Sequence, residues 1–218
     1  MSSKGDAQEL TTIYLVRHGA TEWNRTKRAQ GQADVPLNDD GKLQALRAGE
    51  DFSSIQLDAV YSSDLERARD TAWAIANPHS LEVKEDPRFR EIEQGHWTGL
   101  PTEEIRERWP DLWGPARHYS TRPGGESPAE VRARALEGIA DVVRAHPGGT
   151  VLIVSHGGTI RWLGAEALGY DDHRSARIRG LGNGQAVSIC GRITDGRLEV
   201  TNLKRLDGNT PDLDDPND

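Results

Sequence analysis

The chain has 218 residues, 35% hydrophobic and 28% charged, with a formal net charge of -8 at pH 7. That length suits one domain with a sizeable core rather than two full domains, and the acidic balance argues against a nucleic-acid surface, which needs a basic patch or stripe. The single cysteine, Cys190, excludes an intramolecular disulfide and fits a reducing compartment.

The opening residues Met1 to Asp6 are polar and lack the apolar stretch of a secretory signal. No run approaches the roughly 20 apolar residues needed to span a bilayer. A soluble cytoplasmic protein is expected, with residues 1–11 as a flexible lead. A strand is predicted over Thr12–Val16, and it ends abruptly in Arg17-His18-Gly19. In open α/β sheets ligands bind just outside the carboxyl ends of strands. A histidine there can serve as a nucleophile beside an always-charged guanidinium, and Gly19 is read as removing a side chain where substrate approaches closely. The plainer reading is a surface cation and a loop histidine bonded to backbone.

Further along, Asp39-Asp40-Gly41 opens a helix through Phe52, and a strand follows at Ala59–Tyr61. A helix capped by Ser63 or Asp64 reaches Ala76, and Leu81–Val83 reads as the next strand. Residues 101–125, broken by Trp109-Pro110 and Arg122-Pro123-Gly124-Gly125, read as a lid or specificity insertion. Their tryptophans are alternatively ordinary packing residues. Ser127-Pro128 starts a long helix to about Ala145, a strand spans Val151–Val154, and Gly157-Gly158 leads a helix to Leu168. Strands Ala186–Ile193 and Leu198–Leu203 form a hairpin about Thr194-Asp195-Gly196-Arg197, with Cys190 as a buried, inert thiol. Strands alternating with helices predict a three-layer α/β/α sandwich with a mainly parallel central sheet and a C-terminal β-hairpin. Residues 12–206 form the single catalytic domain in this reading, and the acidic tail 207–218 is expected to be disordered.

Three later segments carry chemistry: Ser62-Ser63-Asp64-Leu65-Glu66-Arg67-Ala68, Arg90-Glu91-Ile92-Glu93-Gln94-Gly95 and Val154-Ser155-His156-Gly157-Gly158. A phosphate monoester carries about two negative charges, and its transfer is catalysed mostly by positioning and charge stabilisation. Arg17 and Arg67 offer planar donor forks for phosphate. His156 adds a third cationic donor if the arginines leave it protonated, and Asn24 and Gln30 offer neutral donors. Helices beginning near Gly19 and Gly157 would aim N–H groups at the same anion. The competing readings are an exposed Arg67 paired with Glu66 or Asp70, a core His156, and a surface Glu91 paired with Arg88 or Arg90.

With Arg17-His18-Gly19, these motifs come in an order, over roughly residues 12 to 160, that resembles the histidine phosphatase superfamily, in the branch that includes cofactor-dependent phosphoglycerate mutases. The resemblance implies His18 as nucleophile, neutral and with its other ring nitrogen donating to a backbone carbonyl. It implies Glu91 as the acid that protonates the leaving oxygen, its pKa raised by burial or by phosphate charge, with Glu93 the nearest rival. His18, Glu91 and His156 then form the catalytic set, and Arg17, Arg67, Asn24, Gln30 and His156 hold the phosphate. The implied activity is hydrolysis of a small phosphorylated metabolite, a sugar phosphate or phosphoglycerate derivative, through a phosphohistidine.

Mutases of this branch typically carry a tyrosine three residues after the acid, a longer basic insertion and an asparagine after the last His-Gly. This chain has Gln94, a short connection and Gly158, which favours hydrolysis over the mutase alternative. The segments Gln30-Gly31-Gln32, Pro123-Gly124-Gly125-Glu126-Ser127 and Leu181-Gly182-Asn183-Gly184 look like phosphatase members, including bacterial sugar-phosphate and glucosyl-phosphoglycerate phosphatases. An inactive phospho-ligand-binding module is disfavoured because Arg17, His18, Arg67, Glu91 and His156 are all present. No cofactor is expected. A metal is not expected either, since neither His-Glu-x-x-His nor Cys-x-x-Cys occurs and arginines supply the charge. The expected partner is a small molecule, with no nucleic acid and no membrane, and a homodimer stays open.

Overall fold

In the computed structural model, which describes residues 9–206, six strands form one sheet. They are β1 (Thr11–Arg17), β2 (Ala59–Ser62), β3 (Val83–Glu85), β4 (Thr150–Ser155), β5 (Ala186–Thr194) and β6 (Arg197–Arg205), in the order β3-β2-β4-β1-β5-β6. β1, β2, β3 and β4 run parallel, while β5 pairs antiparallel with β1 and β6 antiparallel with β5. The helices are α1 (Glu22–Arg25), α2 (Asp39–Phe52), α3 (Glu66–Ala76), α4 (Thr102–Arg108), α5 (Pro128–Ala145), α6 (Gly157–Ala167) and α7 (Asp172–Ser175).

The middle of the sheet follows from side-chain type. β4 carries Val151-Leu152-Ile153-Val154, all fully buried, because a central parallel strand is covered on both faces and selects a continuous aliphatic run. One face packs Val16, Val60, Leu152 and Val154 against Ala48 and Phe52 of α2 and Ala68 and Ala72 of α3. The other packs Ile13, Leu15, Val151 and Ile153 against Ile139 and Val143 of α5 and Ile160 and Leu163 of α6. The expected three layers and the C-terminal hairpin are therefore present.

Helix ends follow local chemistry. Ser127 and Glu130 form a capping box at the start of α5, with Pro128 at its first position. Asn38 caps α2 by accepting the Gly41 N–H at 2.8 Å. The expected cap of α3 by Ser63 or Asp64 is corrected: Leu65 holds the N-cap position without a side-chain bond, and the Ser63 hydroxyl lies 2.9 Å from a His156 ring nitrogen. β3 begins at Val83 rather than Leu81, and Thr11, expected in the flexible lead, is a fully buried residue of β1. Cys190 is half-buried rather than buried, because the alternation of β5 turns it away from the face that buries Ile189.

The 101–125 segment contains α4 and short 3₁₀ turns, and its Trp109 and Trp113 stand with ring centroids 6.2 and 6.0 Å from that of the buried Trp97. The expected disordered tail 207–218, and most of the lead, lie outside the described residues. Among the described residues, no helix is long and apolar enough to cross a membrane.

Candidate active site

β1 and β4 are adjacent and parallel, with Arg17 opposite Ser155, so the residues that follow them leave the sheet side by side. His18 and His156 are those residues. The His18 N–H donates to the Ser155 carbonyl at 3.0 Å, and the two imidazole centroids stand 5.0 Å apart. β2, the other neighbour of β4, ends at the same edge and delivers Ser63 and the first turn of α3, which carries Arg67.

His18 is 3% exposed, and its Nδ1 lies 2.7 Å from the Gly19 carbonyl oxygen. A carbonyl only accepts, so Nδ1 carries the proton and Nε2 keeps its lone pair. Burial, then the charges of Arg67 and Arg17, hold the ring well below the usual histidine range, and it is neutral at physiological pH. Burial and Arg67 depress His156 in the same way. The condition for a cationic His156 therefore fails in the free protein. Its Nε2 meets Ser63, and its buried Nδ1 has no partner.

Arg67 is fully buried, not exposed, and it pairs with neither Glu66 nor Asp70. Its terminal nitrogens donate to the carbonyls of Ala33 and Gly31, both at 2.8 Å, and burial lowers its pKa to about 10, so it stays charged. Arg17 donates to the Leu181 carbonyl at 2.6 Å. The Nε of each is buried without a partner, and neither has a carboxylate within ion-pairing distance among the described residues. A fully buried Arg67 beside a half-buried Arg17, neither paired with a carboxylate, is costly, and an anion between them would relieve that cost.

Glu91 closes the group. Its Oε2 accepts the Gly158 N–H at 3.1 Å and its Oε1 the Ile92 N–H at 3.0 Å. The reading that paired it with Arg88 or Arg90 does not hold: Arg90 pairs with Asp64, and Arg88 with Asp86 and Asp141. Glu93 turns toward the Gly95 N–H and the Thr98 hydroxyl.

Gln30, like His18, Arg67 and His156, lies behind the residues that line the cleft, and its amide oxygen accepts from the Thr21 hydroxyl at 2.8 Å. Two expectations about Gly19 are corrected. Gly19 is needed for packing against α2, since a Cβ there would sit 2.3 Å from the Gly41 carbonyl oxygen. No helix begins at Gly19, and α1, starting at Glu22, is only four residues long. Asn24 does line the cleft, with its amide oxygen held by the Thr21 N–H at 3.0 Å.

The cleft has a volume of about 350 Å³. Arg17, Asn24, Glu91 and Gly158 form its inner side, and Trp97, Trp113, Arg117 and Arg122 its outer wall. Sequence reasoning missed Arg122, Asn183, which donates to the His18 carbonyl at 2.9 Å, and the contact of Ser63 with His156. Each stood within a segment singled out in the sequence, Ser63 beside Arg67, Arg122 in the 101–125 insertion and Asn183 in Leu181-Gly182-Asn183-Gly184, but none had a site role there. Among the described residues, no group of three His, Cys, Asp or Glu is placed to hold a metal ion.

A match to the histidine phosphatase superfamily (branch 1) extends over residues 13–204. The chain belongs to that superfamily. It is 37% identical over 165 residues to phosphoserine phosphatase 1 of Hydrogenobacter thermophilus, covering 74% of this chain and 78% of that protein. It is 34% identical over 175 residues to a probable phosphoglycerate mutase of an Enterobacter species, covering 78% of this chain and 80% of the relative. Among solved structures, a mycobacterial glucosyl-3-phosphoglycerate phosphatase in complex with VO3 superposes with a TM-score of 0.82 at 31% identity, covering 91% of this chain and 99% of that one. This member is a phosphoric monoester hydrolase, and the mutase alternative is not favoured.

Proposed function

We propose that this phosphatase hydrolyses its small phosphorylated metabolite through a phosphohistidine on His18, with residues 12–206 acting as one catalytic domain. The observation that carries the reading is the 2.7 Å contact of His18 Nδ1 with the Gly19 carbonyl, which leaves Nε2 unprotonated beside the buried Arg67 and the half-buried Arg17, neither paired with a carboxylate. Arg17 and Arg67 hold the equatorial oxygens, and Nε2 attacks phosphorus in line with the ester bond. As the N–P bond forms, the P–O bond breaks and protonated Glu91 gives its proton to the departing alkoxide. Water then attacks the phosphohistidine, the carboxylate of Glu91 takes a proton from it, and inorganic phosphate leaves with His18 restored.

His156 stays neutral in this cycle until the phosphoryl group arrives, whose charge favours a proton on its orphaned Nδ1. Similarity to proteins named phosphoserine phosphatase and glucosyl-3-phosphoglycerate phosphatase supports a metabolite substrate, and a 350 Å³ cleft suits a small molecule. A cytoplasmic enzyme without nucleic-acid or membrane partners fits the same reading. Alkaline quenching of the enzyme with substrate, followed by peptide mass spectrometry, tests it. Phosphate on His18, absent from His18→Ala along with nearly all turnover, is expected; phosphate on another residue, or near-wild-type kcat in His18→Ala, overturns the assignment.

A further inference from the structure

Six cationic side chains, Arg17, Lys27, Arg28, Arg117, Arg122 and Arg161, line the cleft against a single carboxylate, Glu91. This stands out in a chain of net charge -8. A phosphomonoester brings about two negative charges, and Arg17 and Arg67 already match those two. Arg67 is not among the six, so five lining cations are left over, and Arg122 is the most deeply buried of them. It is 6% exposed, its Nε is buried without a partner, and one terminal nitrogen donates to the Ser120 carbonyl at 3.0 Å. The guanidinium lies 5.0 Å from the centre of the Trp97 ring, which fixes its plane. It has no ion-pair partner among the described residues. Beside it, the Arg117 guanidinium lies 5.1 Å from the Trp113 ring centre, and its Nε donates to His118. Burying a guanidinium this deeply without a counter-ion is unfavourable in the empty protein and is repaid when an anion arrives.

We propose that Arg122, seated on Trp97, is a second anion subsite, so that the metabolite carries a second acidic group, a carboxylate or a further phosphate, besides the phosphoryl group that is removed. The inference rests on the reading of the Arg17–Arg67 pair as the reacting phosphate's site. The planar fork of Arg122 suits the two oxygens of either acid, and the outer wall selects what the inner group hydrolyses.

Three substrates with one carbon chain separate the cases: propyl phosphate, the same monoester with a terminal carboxylate, and the same monoester with a terminal second phosphate. Wild-type kcat/KM is expected to be about tenfold or more higher for at least one acid-bearing compound than for propyl phosphate, as a charge-assisted contact implies. Which compound leads identifies the acid. Arg122→Met is expected to erase that ranking, and Arg122→Lys to restore part of it. Equal rates for all three in the wild type overturn the proposal even if the variants do not fold. An equal loss on all three substrates in folded Arg122→Met overturns it too. Failure of the phosphohistidine reading looks different: no phosphoenzyme forms with any of the three, whereas failure of this inference leaves the phosphoenzyme and removes only the ranking.

Discussion

The Gly158 N–H lies 3.1 Å from Oε2 of Glu91, and a Cβ built on Gly158 would stand 2.5 Å from Oε1 of the same carboxylate. The carboxyl group thus rests on the first turn of α6 in space that only glycine leaves open. Gly158→Ala is expected to displace Glu91 and lower kcat on the order of 10²-fold, since misplacement by about 1 Å costs that much. Steady-state kinetics check it, and an unchanged kcat would mean that Glu91 works from another position.

Glu91→Gln keeps size and hydrogen bonding but cannot deliver a proton. A large kcat loss is expected with alkyl phosphates, whose alkoxide leaves poorly, and a much smaller one with p-nitrophenyl phosphate. Comparing the two substrates decides it. Equal losses would assign Glu91 a binding role.

For Arg67→Lys the charge survives but the fork does not. Turnover is expected to fall on the order of 10²-fold. The Gly31 and Ala33 carbonyls now held by the two terminal nitrogens would not both be satisfied by one ammonium, costing about 1–3 kcal/mol of stability. Denaturant titration alongside kinetics measures both effects; wild-type values in each would contradict the buried geometry.

Stability should depend on pH through His18, His156, His118 and His146, all depressed below the ordinary 6.5, His118 to about 3 chiefly by burial and then by Arg161. The unfolded chain takes up these protons first as pH falls, so their contribution is full above pH 6.5 and is lost on acidification toward the folded values. His18, His156 and His118 each add about 1.4 kcal/mol per pH unit in that window, and the more exposed His146 adds less. Calorimetry between about pH 7 and pH 5 should show Tm falling, with His118→Asn removing roughly a quarter to a third of the slope. A flat Tm would show that the rings are protonated in the fold.

Much of this was legible in the primary structure because period and punctuation agree. The aliphatic run of β4, the Ser127-Pro128 start and the turn residues of the hairpin each specify an element locally. Arg17, His18 and His156 were legible because they follow such runs. Arg122 was not, since its burial depends on Trp97 packing from a distant turn. Cys190 was misjudged because an apolar strand still turns alternate residues outward.

The outer wall is fastened on both sides of its span to the loop that carries Glu91. The His96 N–H donates to the Pro123 carbonyl at 2.8 Å, and the Glu126 N–H to the Glu93 carbonyl at 3.0 Å. Arg134 spans the joint, donating to the carbonyls of Arg88, Arg90 and Glu91 and pairing with Glu126. The stretch between these fasteners, residues 97–122, carries both Trp97 and Arg122, so changes confined to it would alter the molecule's taste in substrates while Glu91 stays clamped in place.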